Sequence, residues 1–245
     1  MRSLNINKQE PFFLSIVMPV YNEEDVVGEV VSNFCDKVLN KFKKKEFILI
    51  DDCSTDATVS LLKQLKRKYP YIKILMNRSN RGHGPSLLRA YREAKGDYIF
   101  YCDSDNQFMA EDFWPIWREL RKNSPELVMG YRKERNDPSY RIVISNALRL
   151  FNLILFGVSY RDVNAPFKLY TKASLERILS AMPKSAFVPT ILMILCAHEY
   201  GMRISEIEVR HRSRLTGKSF NRNWRIIISC WKAGKEIIKF KNKLQ

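Results

Sequence analysis

Two aspartates one residue apart, Asp103 and Asp105, directly follow the apolar run YIFYC, and Gln107 stands two positions further on. Carboxylates at a strand end reach the rim of a sheet, where no core residue is wanted. Oxygen ligands of this kind suit Mg²⁺ or Mn²⁺ shared with the phosphates of a substrate. A solvated Asp-Ser-Asp-Asn turn capping the helix near Asp112 would use the same residues without any ligand. Other polar residues at neighbouring strand ends favour the metal: Tyr21-Asn22-Glu23, Asp51-Asp52 and Asn80-Arg81-Gly82-His83-Gly84. Asp52 is placed to meet the sugar hydroxyls or base edge of a nucleotide, as an acidic residue near a strand end does in dinucleotide folds. Thr55 or its neighbour caps the next helix. The two glycines of NRGHGPS permit close backbone approach to a ligand, but the segment is neither G-x-G-x-x-G nor a P-loop. His83 by itself reads as a polar loop residue rather than a base.

The elements that must position these groups alternate. SIVMPV, FILID, IKILM and YIFYC read as strands, followed in turn by helical stretches over about 23–44, 55–69 and 84–95. Strand and helix in series imply an α/β domain with a mostly parallel central sheet flanked by helices, and ligands then bind beyond the carboxyl ends of the strands. Further on, LVMG, KLYT and ISEIEV read as strands and the last twenty residues as a helix. The stretch 139–156 is apolar around most of its circumference, with Arg141, Ser145, Arg149 and Asn152 as a narrow polar stripe. The domain division expected is an N-terminal arm over 1–13, a catalytic domain over 14–220 and a basic amphipathic helix over 221–245.

With 245 residues and a formal net charge of +16, the chain can bury one substantial core and attracts anionic partners at long range. The five cysteines are odd in number and lack C-x-x-C spacing, so neither a disulfide framework nor a zinc site is expected. The N-terminus lacks the apolar stretch of a secretory signal, which predicts a reducing, cytoplasmic setting. Neither LFNLILFGV nor FVPTILMILCA approaches the ~18 apolar residues of a spanning helix. In the last helix Arg225, Lys232, Lys235 and Lys239 fall on one arc and Trp224, Ile227, Trp231 and Ile238 on the other. Such a helix either lies on the cytoplasmic face of an anionic membrane or packs its apolar side on its own domain. A nucleic-acid-binding or scaffold role rests on charge alone; the basic residues lack aromatic interleaving on strands, and no nucleic-acid partner is expected.

In order and spacing, SIVMPVYNEEDVV, EFILIDDCSTDAT, NRGHGPSLLRAYREAKGDYIFYCDSDNQF, VMGYR, YRDVNAPFKLYTK and RLTGKS resemble glycosyltransferase family 2, in particular its dolichyl- and polyprenyl-phosphate sugar synthases. The resemblance covers about residues 14 to 220. It implies a single GT-A-like domain that takes a nucleotide-sugar donor and inverts the anomeric carbon by direct displacement. Residue by residue, it implies donor contacts from Pro19, Tyr21 and Glu23, a base site at Ile50 and Asp52, and further donor contacts from Asp103, Ser104 and Lys218. It implies metal ligation by Asp103, Asp105 and Gln107, phosphate contacts from Arg132 and Arg214, and an acceptor loop at Asp162 and Asn164.

Three departures stand out: Ala165-Pro166-Phe167 replaces the usual Ser-Gly-Phe, Phe220 replaces a lysine that Lys218 would have to substitute for, and no transmembrane segment follows through Gln245. A membrane-embedded protein is a further expected partner. Asp105, Arg132, Asp162 and Arg214 are the expected catalytic set, stabilising charge on the departing phosphate together with the metal. Four basic residues, Arg210, Arg212, Arg214 and Lys218, exceed the need of one diphosphate and are expected to serve a lipid phosphate acceptor as well. Alternatively, the first three project along one face of an edge strand. A hydroxyl of a cell-surface glycan or lipopolysaccharide is the alternative acceptor. It would need a base, which the ionised phosphate does not.

Overall fold

The computed structural model describes residues 10–132, 139–158, 160–183, 185–212 and 223–244, with backbone only at 139–146, 148 and 223–227. Arg214, Lys218 and Phe220 lie outside the described residues, as do the side chains of Arg141, Ser145, Trp224, Arg225 and Ile227.

Seven strands, β1 (Glu10–Val20), β2 (Phe42–Asp51), β3 (Ile72–Met76), β4 (Tyr98–Cys102), β5 (Leu127–Arg132), β6 (Phe167–Thr171) and β7 (Ile204–Val209), form one sheet in the order β3-β2-β1-β4-β6-β5-β7. All neighbours are parallel except β6, which runs antiparallel to β4 and β5. Because β6 is reversed, its start lies beside the end of β4, Cys102 facing Phe167. The carboxyl ends of β1, β2, β4, β5 and β7 and the amino end of β6 therefore share one rim.

The helices are α1 (Val27–Lys37), α2 (Thr58–Lys68), α3 (His83–Glu93), α4 (Phe113–Asn123), α5 (Ser139–Phe156), α6 (Lys172–Ala181), α7 (Pro189–Glu199) and α8 (Asn223–Leu244). Two apolar layers cover the sheet. One joins Phe34, Phe47, Phe100, Trp117 and Phe167; the other joins Val17, Ile48, Leu87, Tyr101, Tyr170 and Leu192. In α1 the buried Val27, Val30, Val31 and Phe34 recur at helical spacing, whereas every residue of α7 from Pro189 to Ala197 is buried, as an interior helix requires. Proline opens α7 where its missing N–H costs nothing.

The sequence-predicted helix over 23–44 is corrected to a shorter α1. Phe42 is fully buried, and the chain from there pairs with β1 well before FILID. β1 likewise begins at Glu10, inside the span read as an arm. Beyond β7 the chain leaves the strand at Val209, so Arg210 and Arg212 do not project from an edge strand. α5 departs from its predicted polarity: Asn152 is buried, while Leu150, Leu153 and Ile154 are exposed, the last at 73%.

Candidate active site

Three non-glycine residues on the rim adopt left-handed backbone: Asn22 after β1 (φ 51°), Cys53 after β2 (φ 67°) and Asn106 after β4 (φ 59°). Each costs about 1 kcal/mol or more against an ordinary conformation, and such strain tends to gather where loops must hold a ligand. Short polar side chains clasp these loops together. Asn22 N donates to Ser54 Oγ at 3.0 Å, Thr55 N to Asn22 Oδ1 at 2.8 Å, Glu23 N to Thr58 Oγ1 at 2.9 Å and Ala57 N to Glu24 Oε2 at 2.7 Å. Tyr21 stands exposed beside them.

The two residues expected to receive a base are turned inward. Ile50, in register with Pro19, has its side chain in the core against Leu87 and Leu88. Asp52 accepts from Asn77 Nδ2 (2.7 Å), Arg81 N (2.9 Å) and Gly82 N (2.8 Å), so its carboxylate ties down the loop after β3. Gly82 has φ 84°, which only glycine adopts freely. Its neighbour Asp51 accepts from Cys53 N and Ser54 N through Oδ2, and its buried Oδ1 has no partner. No simple spacing signals that Asn77 belongs to this group; its role comes from sheet order, which sets β3 beside β2.

Asp103 is more embedded than a solvated turn would be. Its Oδ1 accepts from the Tyr101 hydroxyl at 2.6 Å and lies 3.2 Å from His83 Nε2, itself 3.0 Å from the Tyr101 oxygen. Desolvation opposes ionisation of Asp103, but hydrogen bonds from His83 and Tyr101 and the charges of His83 and Lys168 outweigh it and hold the carboxyl below its ordinary value. Desolvation likewise disfavours the charged form of His83, yet Asp103 raises its pKa above the usual histidine value. His83, read from sequence as a loop residue, is thus built into the rim because α3 begins at it. Gly84 behind it packs so closely on the Ala186 carbonyl that a methyl there would overlap that oxygen. Ser104, between the two aspartates, is buried.

Asp105 Oδ1 accepts from Gln107 N at 3.2 Å. Gln107 is locked to the segment after β7: its Nε2 donates to the Arg212 carbonyl (3.1 Å), and Arg212 N donates to its carbonyl (2.9 Å). A Phe108–His211 bridge continues the contact, which brings the chain leading into RLTGKS to the Asp-x-Asp turn. With Nε2 so engaged, Gln107 Oε1 is the atom left for a cation. Among the described residues no group of three or more His, Cys, Asp or Glu is gathered so as to hold a metal ion. Nearby Cys102 is buried with its thiol pKa driven far up, chiefly by desolvation. Asp103, Asp105 and Gln107 offer oxygen atoms, the ligand type that Mg²⁺ and Mn²⁺ take.

On the other side of β4, Arg132 closes β5 and grips Asp162 with two hydrogen bonds, Nε to Oδ2 at 2.7 Å and Nη2 to Oδ1 at 3.2 Å, both side chains nearly buried. Asn164 Oδ1 accepts from Thr190 Oγ1 at 3.2 Å, fastening the same loop to α7. Arg210 is committed elsewhere: Asp112 accepts from its main chain and its guanidinium at 2.6–2.9 Å. That removes Arg210 from the basic surplus assigned to a second phosphate. Lys168, which the sequence reading passed over, is fully buried under the Asp162 loop.

The sequence profile of glycosyl transferase family 2 matches residues 15–179, about two thirds of the chain. The chain belongs to glycosyl transferase family 2. Its domain is accordingly that of a sugar-transferring enzyme, with a GT-A-like fold. Curated relatives include the undecaprenyl-phosphate 4-deoxy-4-formamido-L-arabinose transferases of Edwardsiella ictaluri (27% identical over 212 residues, 84% of this chain and 62% of that protein) and Pseudomonas fluorescens (28% over 211 residues, 84% and 59%). The chain thus spans about three fifths of the length of the curated relatives it matches. Among solved structures, mannosyl-3-phosphoglycerate synthase from Rubrobacter xylanophilus superposes with a TM-score of 0.69 at 14% identity, over 93% of this chain and 73% of that one. A mannosyltransferase from Pyrobaculum calidifontis, in complex with GDP-Man and Mn²⁺, gives 0.64 at 18% identity, over 98% and 72%. At these identities the likeness is one of fold.

Proposed function

We propose that this glycosyltransferase moves a sugar from a nucleoside diphosphate to a polyprenyl phosphate at the surface of an anionic membrane. The observation that carries the acceptor class is the state of Asp162. Both of its oxygens are held by Arg132 and little of it is exposed, so it is poorly placed to remove a proton from a hydroxyl. A phosphate acceptor needs no such removal, being largely ionised at neutral pH with a second pKa near ~6. The relatives named for undecaprenyl phosphate support the same class.

On this reading Asp103, Asp105 and Gln107 hold Mg²⁺ or Mn²⁺, which when bound offsets charge on the departing diphosphate. The loops carrying Pro19, Tyr21, Glu23, Asp52 and Ser104 shape the donor pocket, with Ile50 buried beneath. Arg214 and Lys218, outside the described residues, supply cationic contacts to phosphate, and Arg132 acts on the acceptor through Asp162. The acceptor oxygen displaces the diphosphate directly, with inversion at the anomeric carbon. The Asp162–Arg132 pair orients the acceptor and takes no proton.

Membrane attachment is read from two helices. Among the described residues no helix is long and apolar enough to cross a bilayer. Yet Ile228, Trp231 and Ile238 on α8 are exposed, Trp231 at 61%, as are Leu150, Leu153 and Ile154 on α5. Lys235 stacks over the Trp231 ring at 3.4 Å, with Lys232 and Lys239 exposed beside it. Apolar side chains rimmed by lysines match an anionic lipid surface. Only Ile237 and Phe240 of the described α8 side chains are fully committed to the domain.

The deciding measurement is transfer by Asp162→Asn to a short polyprenyl phosphate, with a pH profile. Weakened acceptor binding and no new basic limb are expected. A fall in turnover of ~10²–10⁴ at unchanged acceptor affinity would make the acceptor a glycan hydroxyl. Recovery of the wild type in the supernatant of anionic and neutral liposomes alike, at low salt, would remove the membrane reading.

A further inference from the structure

Lys168 lies in β6 directly across from Tyr101 of β4 and Met129 of β5. Strand alternation sets it opposite to Phe167 and Leu169, on the face that carries Tyr101 and Tyr170. Its exposure is 0%, and its ammonium donates to the Ala165 carbonyl. No carboxylate of the described residues is within ion-pairing distance of it. Burial lowers its pKa to about 7, against the upward pull of Asp162 and Asp103 and with a further push down from Arg132.

Holding a cation in such a place costs more than a single hydrogen bond to a carbonyl returns. A methionine would fill the same space without that cost, so packing does not account for the lysine. The surroundings do. The two carboxylates whose fields reach Lys168 are Asp103, on the donor side of the rim, and Asp162, in the acceptor loop. That loop is closed by a turn from Ala165 N to the Asp162 carbonyl (3.2 Å). It is held at one end by Arg132, at its middle by Thr190 through Asn164, and from beneath by Lys168. Lys168 is the anchor that brings positive charge from within the fold to the place where two phosphate-bearing substrates must meet.

We propose that Lys168 is a positioning residue for the acceptor: its buried charge under the Asp162–Pro166 loop sets the loop's shape and strengthens binding of the acceptor's phosphate. This rests on the polyprenyl-phosphate reading above. Lys168 does not touch the reacting atoms; it acts through the Ala165 carbonyl and through the field it adds beneath the loop. At and below about pH 7, where Lys168 keeps its proton, the charge rather than the hydrogen bond is the active feature, so a neutral donor of similar length should not replace it.

The test compares Lys168→Met, Lys168→Gln and Lys168→Arg with the wild type, using farnesyl phosphate as acceptor and titration of UDP and GDP with Mn²⁺ as the donor-side control. The Met and Gln variants should raise the acceptor KM about tenfold or more, with nucleoside diphosphate affinity within about twofold of wild type; Arg should recover most of the loss. Thermal unfolding checks each variant, and Gln carries the test if Met does not fold. An unchanged acceptor KM in Met and Gln, an equal loss of donor affinity, or wild-type kinetics in Gln would each overturn the proposal. Absence of any wild-type transfer to farnesyl phosphate would overturn the acceptor reading and this inference with it, whereas the other outcomes leave that reading intact.

Discussion

The rim of the sheet has two halves built from different interactions. Around β1, β2 and β3, the half proposed to take the donor is held by carboxylates, amides and hydroxyls accepting from main-chain N–H groups, as Asp52 does for Arg81 and Gly82 and Asn22 for Thr55. Around β5, β6 and β7, the half proposed to take the acceptor is held by charge: Arg132 on Asp162, Arg210 on Asp112, and Lys168 beneath the loop. Main-chain hydrogen bonds specify a loop's shape whatever ligand is bound. Buried charges specify shape as well, and also tune the affinity of a site for anions. On the proposed function, the first half would grip a nucleotide of fixed geometry and the second would balance phosphate charge.

Mutations should separate the two halves. The largest effect is expected at their junction: Asp105→Asn should lower transfer by on the order of 10²–10³ while leaving the melting temperature nearly unchanged, since the side chain is at the rim and not in the core. Near-wild-type transfer at limiting Mn²⁺ would remove the metal assignment. Next comes Asp162→Asn, which weakens the grip on a nearly buried guanidinium; a loss on the order of 3 kcal/mol in urea unfolding is expected, with the donor affinity kept. Asp52→Ala should cost about 2 kcal/mol by freeing the 77–82 loop, and should weaken nucleoside diphosphate binding while sparing the acceptor KM. An acceptor defect in that variant would blur the division.

A subtler probe is pH. Lys168 has a folded-state pKa near 7, below its ordinary value of 10.5, so above pH 7 the unfolded chain binds more protons at this position. Its contribution must therefore make stability rise with pH between these values. Asp103, Asp162, Arg132 and Tyr101 surround it, and only the part of the slope that disappears in Lys168→Met belongs to it. The smallest effect is expected from Glu236→Gln. Glu236 of α8 accepts from Phe187 N and Val188 N at the start of α7, and loss of its charge there should cost about 0.5 kcal/mol, read as a small drop in melting temperature.

Much of the donor half was legible from sequence. β3, β4 and α5 have their predicted bounds, and the polar clusters after β1 to β4 do collect on one rim. Apolar runs report strands because alternation and burial are local properties, and a parallel α/β order sends every loop of interest to the same side. Boundaries were less legible where burial came from a distant element: Phe42 ends the α1 region because it packs on Phe113 and Trp117, far along the chain.

The chemistry of single residues divides in the same way. By its own spacing the sequence determined that Asp103, Asp105 and Gln107 follow a strand end, and the ordered motifs determined the family. That His83 closes on Asp103, that Asp52 faces inward, that Arg210 belongs to Asp112 and that Lys168 is a buried lysine were decided only by the tertiary structure. Each of these depends on a partner 20 to 98 positions away or, for Lys168, on the reversal of β6 that tucks its amino end beside β4. Hydrogen bonding and desolvation act through distances in space, and a linear pattern carries those distances only where neighbours in the chain are also neighbours in the fold.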